Sequence, residues 1–184
     1  MRQVQLFDDI EKILINEAEL KEKVIELGKK ISDDYNGLNP VFVTVLRGSI
    51  IFLCDLIREV KIPISLDFLS VSSYSGQSHT GVVRIIKDLD ENIENKHVIL
   101  IEDIIDTGLT LNYILGMLRE RKPASIKVCA LLDKKVRRII DIAIDYKGFE
   151  IPDEFVVGYG MDYNQQYRNL PFIGILKEEI LNQD

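Results

Sequence analysis

The sequence predicts an α/β fold organised around a largely parallel central sheet. Short apolar, β-branched runs recur along the chain, and stretches with helical spacing alternate with them. The runs Val41 to Leu46, His97 to Ile101 and Ile126 to Leu132 are apolar on successive residues, as strands covered on both faces are. The 184-residue chain is of single-domain size. It is long enough to bury a core without a disulfide or metal staple.

Asn16 followed by Glu19 forms a capping-box pattern, with Asn in place of Ser or Thr. Leu20, Val24, Leu27 and Ile31 then recur at helical spacing, so a helix is expected that ends before the turn-rich Asp33 to Gly37. The strand Val41 to Leu46 leads through an Arg47-Gly48-Ser49 turn into a helix from Ile50 to about Val60, with Ser49 as its cap. Ile62, Ile64, Leu66 and Phe68 alternate with more polar neighbours and predict the next strand. Ser72 to Gly81 is too polar and glycine-rich for a core element and predicts an exposed, mobile loop containing His79. Strands follow at Val82 to Lys87 and at His97 to Ile101, the latter ending in Glu102-Asp103. After Asp106-Thr107-Gly108 a helix places Leu111, Ile114, Leu115 and Leu118 on one face, and Lys122-Pro123 stops it. Ile126 to Leu132, a short Ile142 to Ile144, Phe155 to Gly158 and Phe172 to Ile175 complete the expected strands.

The chain carries 30 Asp+Glu against 23 Lys+Arg, a net charge of -7. That balance argues against nucleic acid as a partner, because phosphate neutralisation needs a basic footprint. Cys54 and Cys129 each lie in an apolar run and are expected to be buried free thiols. The polar start lacks a signal-peptide pattern, and no stretch is long and apolar enough for a membrane span, so a soluble, cytoplasmic protein is expected.

The informative stretch is Val98 to Thr110. Four apolar residues make a buried strand, Glu102 and Asp103 stand at its carboxyl end, Asp106 follows, and Thr107, Gly108 and Thr110 open a helix. In parallel sheets ligands bind outside the carboxyl ends of the strands. Unpaired N–H groups at a helix start attract phosphate, and Gly108 permits close backbone approach. Carboxylates beside such a cradle suit sugar hydroxyls or Mg2+, which takes oxygen ligands together with substrate phosphates. The residues alone therefore point to a phosphorylated sugar with a divalent cation. Acids and Thr at a helix start also serve as ordinary caps, but the whole run exceeds what capping needs. Neither a Walker-type loop nor a G-x-G-x-x-G fingerprint is present.

Glu102 to Thr110 resembles the phosphoribosyl pyrophosphate (PRPP) motif of the purine phosphoribosyltransferases. Leu46-Arg47-Gly48-Ser49 resembles their pyrophosphate loop, for which a cis peptide bond at Leu46-Arg47 is implied. Ser73-Tyr74 and the polar loop after them resemble their lid. Leu131 to Lys134 resembles the segment bearing the base-recognition lysine, and Phe155 to Asn164 with Arg168 resembles the purine pocket and second metal site. The resemblance runs in the family's order from about residue 5 to residue 176. It implies a type I phosphoribosyltransferase fold over 1–184, with a small hood from the N-terminal segment and about 150–184. It also implies a 6-oxopurine and PRPP as substrates, Mg2+ as cofactor, and a homodimer or homotetramer.

By that resemblance Glu102 and Asp103 bind the ribose hydroxyls or Mg2+, and Asp162 binds a second Mg2+. Thr107, Gly108, Leu109 and Thr110 cradle the 5′-phosphate, with Ile105 inside the motif. Asp106 is the general base near purine N7. Arg47, Gly48 and Arg168 meet the pyrophosphate, Lys134 donates to the purine O6, Phe155 stacks on the base, and Val156 offers backbone contacts. Tyr74 closes the lid. Leu109 stands where some relatives carry Lys, so the cradle rests on N–H groups and hydroxyls. Two blander readings sit beside these. Lys134-Lys135 with Arg137-Arg138 also suits a solvated basic turn, and an aromatic such as Phe155 also suits a core.

Three rivals remain. Asp106-Thr107-Gly108 is also an aspartic-protease signature, but such a site needs two facing carboxylates and a strand context. A non-catalytic nucleotide sensor of the same fold would need a basic face. Transfer to adenine or xanthine would keep the chemistry and change the base, and Lys134 with Phe155 to Asp162 favours a 6-oxopurine.

Overall fold

Residues 6–73 and 83–181 are described here, in a computed structural model. The elements run β1 (Ile10–Ile15), α1 (Glu17–Asp34), β2 (Val41–Leu46), α2 (Ile50–Glu59), β3 (Ser65–Ser73), β4 (Val83–Lys87), β5 (His97–Ile105), α3 (Leu109–Glu120), β6 (Ser125–Asp133), a 3₁₀ turn (Lys135–Arg137), β7 (Tyr146–Glu150), β8 (Val156–Val157), β9 (Ile173–Leu176) and α4 (Glu178–Leu181). Six strands form one sheet in the order β4-β3-β2-β5-β6-β7, parallel except for β4. A second, antiparallel sheet has the order β1-β9-β8.

Period-two alternation explains why the central strands read as unbroken apolar runs. Phe42, Ile99, Ile101, Cys129 and Leu131 face a core completed by Leu20, Val24 and Leu27 of α1 and Phe52, Leu53 and Leu56 of α2. Their neighbours Val41, Val43, Val98, Leu100, Val128 and Ala130 face the other way, onto Leu111, Ile114, Leu115 and Leu118 of α3. Both faces of the sheet are thereby covered, as a parallel sheet requires.

The capping box is present: Asn16 Oδ1 accepts from Glu19 N (3.0 Å) and Glu19 Oε2 from Asn16 N (2.8 Å). Several expectations need correction. Helix α1 continues through Asp34, because Tyr35 N still donates to Ile31 O. Ser49 stands before α2 but does not cap it. Its hydroxyl donates back to Val45 O and accepts from Thr44 Oγ1, tying the loop to β2. Strand β3 begins at Ser65, where pairing with β2 begins, so Ile62 and Ile64 are core-packed residues of the connection. It also extends through Ser72 and Ser73, which were expected in the loop. The rest of that loop, with Tyr74 and His79, and Val82 lie outside the described residues.

Strand β5 does not stop at the acids but runs to Ile105, since Ile104 and Ile105 keep their pairing with Leu132 and Asp133. Ile142 to Ile144 is not a strand; those residues pack on the α3 side, and β7 follows at Tyr146. The strand expected at Phe155 to Gly158 shrinks to Val156 and Val157, and that at Phe172 to Ile175 shifts to Ile173–Leu176. Cys129 is buried as expected, but Cys54 is exposed. It lies on α2 beside, not within, the face formed by Phe52, Leu53 and Leu56. Strand β1 and helix α4 were not anticipated. No described helix is long and apolar enough to cross a membrane.

Candidate active site

The carboxyl ends of β2, β5 and β6 open onto a cleft of about 370 Å³. Five separate segments line it: Arg47 and Gly48, Asp103 and Asp106, Lys134 and Arg137, Phe155 and Val156, and Asp162 and Arg168. A smaller hollow of about 190 Å³ adjoins it through Ile104 and Asp106 and is bordered by Glu102, Ile105, Thr107, Gly108 and Thr110. A third cleft, of about 400 Å³, lies between α1, α2 and Tyr159; none of the predicted site residues lines it. Size does not mark the site, since this third cleft matches the first; what sets the first two apart is their place at the carboxyl ends of the sheet strands.

Parallel pairing of β5 between β2 and β6 delivers the acids to the sheet edge. Glu102 is buried, and burial with the adjacent Asp103 charge holds its carboxyl well above the usual range. Burial likewise pushes Asp103 up to about 6, opposed by backbone N–H donors and the Arg168 charge. Among the described residues no cation stands within ion-pair distance of either. Two desolvated carboxylates without an ion-pair partner fit a cation that arrives with a ligand. Among the described residues no group of three or more His, Cys, Asp or Glu is poised to hold a metal.

Gly108 begins α3 with φ of 83°, a conformation that favours glycine, and a Cβ there would stand 2.8 Å from Ile140 O. The turn 105–108 therefore lies close under the 134–142 segment. Lys134 N donates to Ile105 O (3.0 Å), and Ile139 N donates to Thr107 O (2.9 Å). The bland reading of a solvated basic turn fails at Lys134, whose side chain is only 7% exposed. Its Nζ stands 4.0 Å from Asp153 Oδ1. Asp106 Oδ2 lies 3.3 Å from Arg137 Nη1, while Asp106 Oδ1 is buried without a hydrogen-bond partner.

The Leu46-Arg47 peptide is cis. Gly48 is pressed between two neighbours, since a Cβ there would collide with the Asp103 carboxylate and one at Gly160 would collide with Gly48 O. On the far wall Arg168 pairs with Asp162 (2.7 Å) and donates to Gly160 O (2.7 Å). Gln165 Oε1 accepts from Arg47 Nη1 (3.1 Å) and Arg168 Nη2 (3.4 Å), and Gln165 N donates to Asp162 Oδ2 (2.9 Å). Phe155 is exposed and meets Tyr163 edge-on, with ring centroids 5.6 Å apart. Phe155 thus stands at the mouth of the polar cleft and not in the core.

Every predicted site residue outside the lid borders one of the two clefts except Leu109, which is half exposed at the start of α3. Ser73 ends β3, and Tyr74 lies outside the described residues. Sequence reading missed Arg137, Asp153 and Gln165 as members of the site. No spacing rule marks them, because each is defined by a partner on another segment.

Residues 10–164 match the model of the phosphoribosyl transferase domain. The chain is 48% identical over 176 residues to the hypoxanthine-guanine phosphoribosyltransferase of Streptococcus thermophilus, covering 95% of this chain and 98% of that one. It is 49% identical over 179 residues to the bifunctional protein TilS/HprT of Listeria monocytogenes, covering 97% of this chain but only 28% of that longer protein. A crystal structure of a hypoxanthine phosphoribosyltransferase from Staphylococcus aureus superposes with a TM-score of 0.92 at 46% identity, covering 98% of each chain.

Proposed function

The chain belongs to the phosphoribosyltransferase family, and on that premise we propose that it acts in purine salvage. It transfers the 5-phosphoribosyl group of PRPP to hypoxanthine or guanine and releases pyrophosphate. The observation that carries this reading is the meeting of Asp106, Lys134 and Phe155 in one cleft with Asp103 and Arg47. A proton acceptor, an O6 donor and a stacking ring are thus set beside groups suited to a sugar pyrophosphate.

In this reading Thr107, Gly108 and Thr110, at the start of α3, receive the 5′-phosphate through N–H groups and hydroxyls. Leu109 adds only its backbone. Glu102 and Asp103 take the ribose hydroxyls, directly or through the metal. Arg47 and Arg168, with the Gly48 backbone, receive the pyrophosphate. Phe155 stacks on the purine, Val156 offers backbone contacts, and Lys134 donates to O6, which selects a 6-oxo over a 6-amino ring.

The bond from the sugar C1 to the pyrophosphate oxygen breaks as purine N9 bonds to C1, and Asp106 takes the proton from N7. Positive charge that builds on the ribose ring faces the carboxylates, and negative charge on the leaving group faces the arginines. Glu102 and Asp103 are the residues that would hold one Mg2+ and Asp162 a second, and the ions when bound would supply charge to offset the departing pyrophosphate. The small sheet β1-β9-β8, with the residues from about 150 onward, forms the hood over this cleft.

The test is the purified protein with PRPP, Mg2+ and a panel of bases, read by pyrophosphate release. Release is expected with hypoxanthine or guanine, to be suppressed by excess EDTA. Release with adenine alone, or with no base, overturns the assignment.

A further inference from the structure

One cation in the cleft has no part in the chemistry above. Arg138 is spent on structure: its side chain is 10% exposed and it pairs with the buried Asp133. Arg137, one residue earlier, is half exposed and turns into the cleft. Its Nη1 lies 3.3 Å from Asp106 Oδ2 and its Nε 3.6 Å from Asp153 Oδ1. Asp153 Oδ1 in turn stands 4.0 Å from Lys134 Nζ. Arg137 therefore joins the two groups that would handle the purine, one directly and one through Asp153.

The main chain fixes where Arg137 sits. Upstream, Lys134 N donates to Ile105 O, next to Asp106. Downstream, Ile139 N (2.9 Å) and Ile140 N (3.2 Å) both donate to Thr107 O, on the other side of Asp106. Arg137 N closes the 3₁₀ turn onto Lys134 O (3.0 Å). The backbone carrying the guanidinium is thus pinned on both sides to the backbone carrying the carboxylate. The carboxylate is held by one oxygen only, and Asp106 Oδ1 has no hydrogen-bond partner.

We propose that Arg137 is a positioning residue for the purine step. It holds the Asp106 carboxylate by its cleft-facing oxygen Oδ2, which fixes the base beside the purine, and through Asp153 it keeps Lys134 beside the same ring. The inference rests on Asp106 being the base. Its effect falls on the rate of proton acceptance rather than on PRPP binding, because the contact reaches Asp106 from the purine side of the cleft.

The experiment is a double-mutant cycle on the full chain with D106N, R137A and the pair, measuring kcat and the KM values for hypoxanthine and PRPP. R137A is expected to lower kcat about tenfold, a small part of what a general base contributes, with the PRPP KM nearly unchanged. In the D106N background the same change is expected to cost less than about twofold, since residues acting as a unit are non-additive. R137K should recover part of the loss, because one ammonium can reach Asp106 but cannot also fill the Nε position against Asp153. Should the alanine variant melt early, R137Q, which keeps most of the bulk, carries the same expectation. Unchanged kcat in R137A and R137Q, or an equal loss with and without Asp106, overturns the role of Arg137 alone. Wild-type turnover in D106N overturns the base assignment, and this inference with it.

Discussion

The two halves of β5 share a strand and the neighbour β6, but pairing with β2 stops at Ile101, and the halves do opposite work. Val98 to Ile101 are fully buried apolar residues paired with Val41 to Thr44 on one side and Ile126 to Cys129 on the other. Glu102 and Asp103 follow without a break in the strand, and both are acids held well above their ordinary range by burial. The first half stabilises the fold by removing apolar surface from water. The second is stability given up, since a desolvated carboxylate with no cation beside it is unfavourable until a ligand supplies one. Position at the carboxyl edge of the sheet, rather than the type of element, separates the two roles.

Substitutions on either side of that divide should therefore fail in different assays. The largest effect is expected from Asp106→Asn, just past the strand. Turnover should fall by about 10²–10³-fold, with PRPP affinity in a binding titration within a few fold of wild type. Ile101→Ala, in the apolar half, should lower stability by about 3 kcal/mol in urea unfolding. The protein that remains folded should keep its KM for PRPP. Loss of affinity in Asp106→Asn, or an altered KM in Ile101→Ala, would blur the division.

Asp103→Asn sharpens it, because here stability should rise. The Asp103 carboxyl titrates near 3.9 unfolded and about 6 folded, so folding disfavours its charged form. The resulting cost is absent below about pH 4, grows between pH 4 and 6, and is complete above that. Allowing for partial exposure, the apo variant should gain about 1–2 kcal/mol at pH 7.5, and the gain should vanish in melts near pH 4. The smallest effect is expected far from both halves. Asn16→Ala removes the capping box of α1 and should cost about 1 kcal/mol without moving any kinetic constant.

What was legible in the sequence follows the same physical line. The capping box, the helix after Gly108 and the run from Val98 are local patterns, and each is present. Strand β1 was not legible, because its alternation is interrupted by Glu11 and Lys12 and its partner β9 lies near the other end of the chain. Strand β7 was displaced because Ile142 and Ile144 look strand-like but fill the α3 side of the core. In the site, the segments on single motifs were found. The cross-ties were not: Gln165 to Arg47 and Arg137 to Asp153 join residues with nothing in their own neighbourhoods to announce them. Cys54 was misplaced for a simpler reason, since an apolar run in a helix has an outer side.

The pairing of β1 with β9 also orders events during synthesis. Ile10 to Ile15 leave the ribosome well before the strand they add to, Ile173 to Leu176. At about 5–20 residues per second, β1 waits on the order of ten seconds with its edge uncovered. Strands β2, β3, β5 and β6 can meet in that interval, so the phosphate side of the cleft is assembled before the small sheet closes. A chain stalled before Phe172 would therefore present a formed cradle at Thr107 to Thr110 and, with β1 still unpaired, an exposed strand open to unwanted partners.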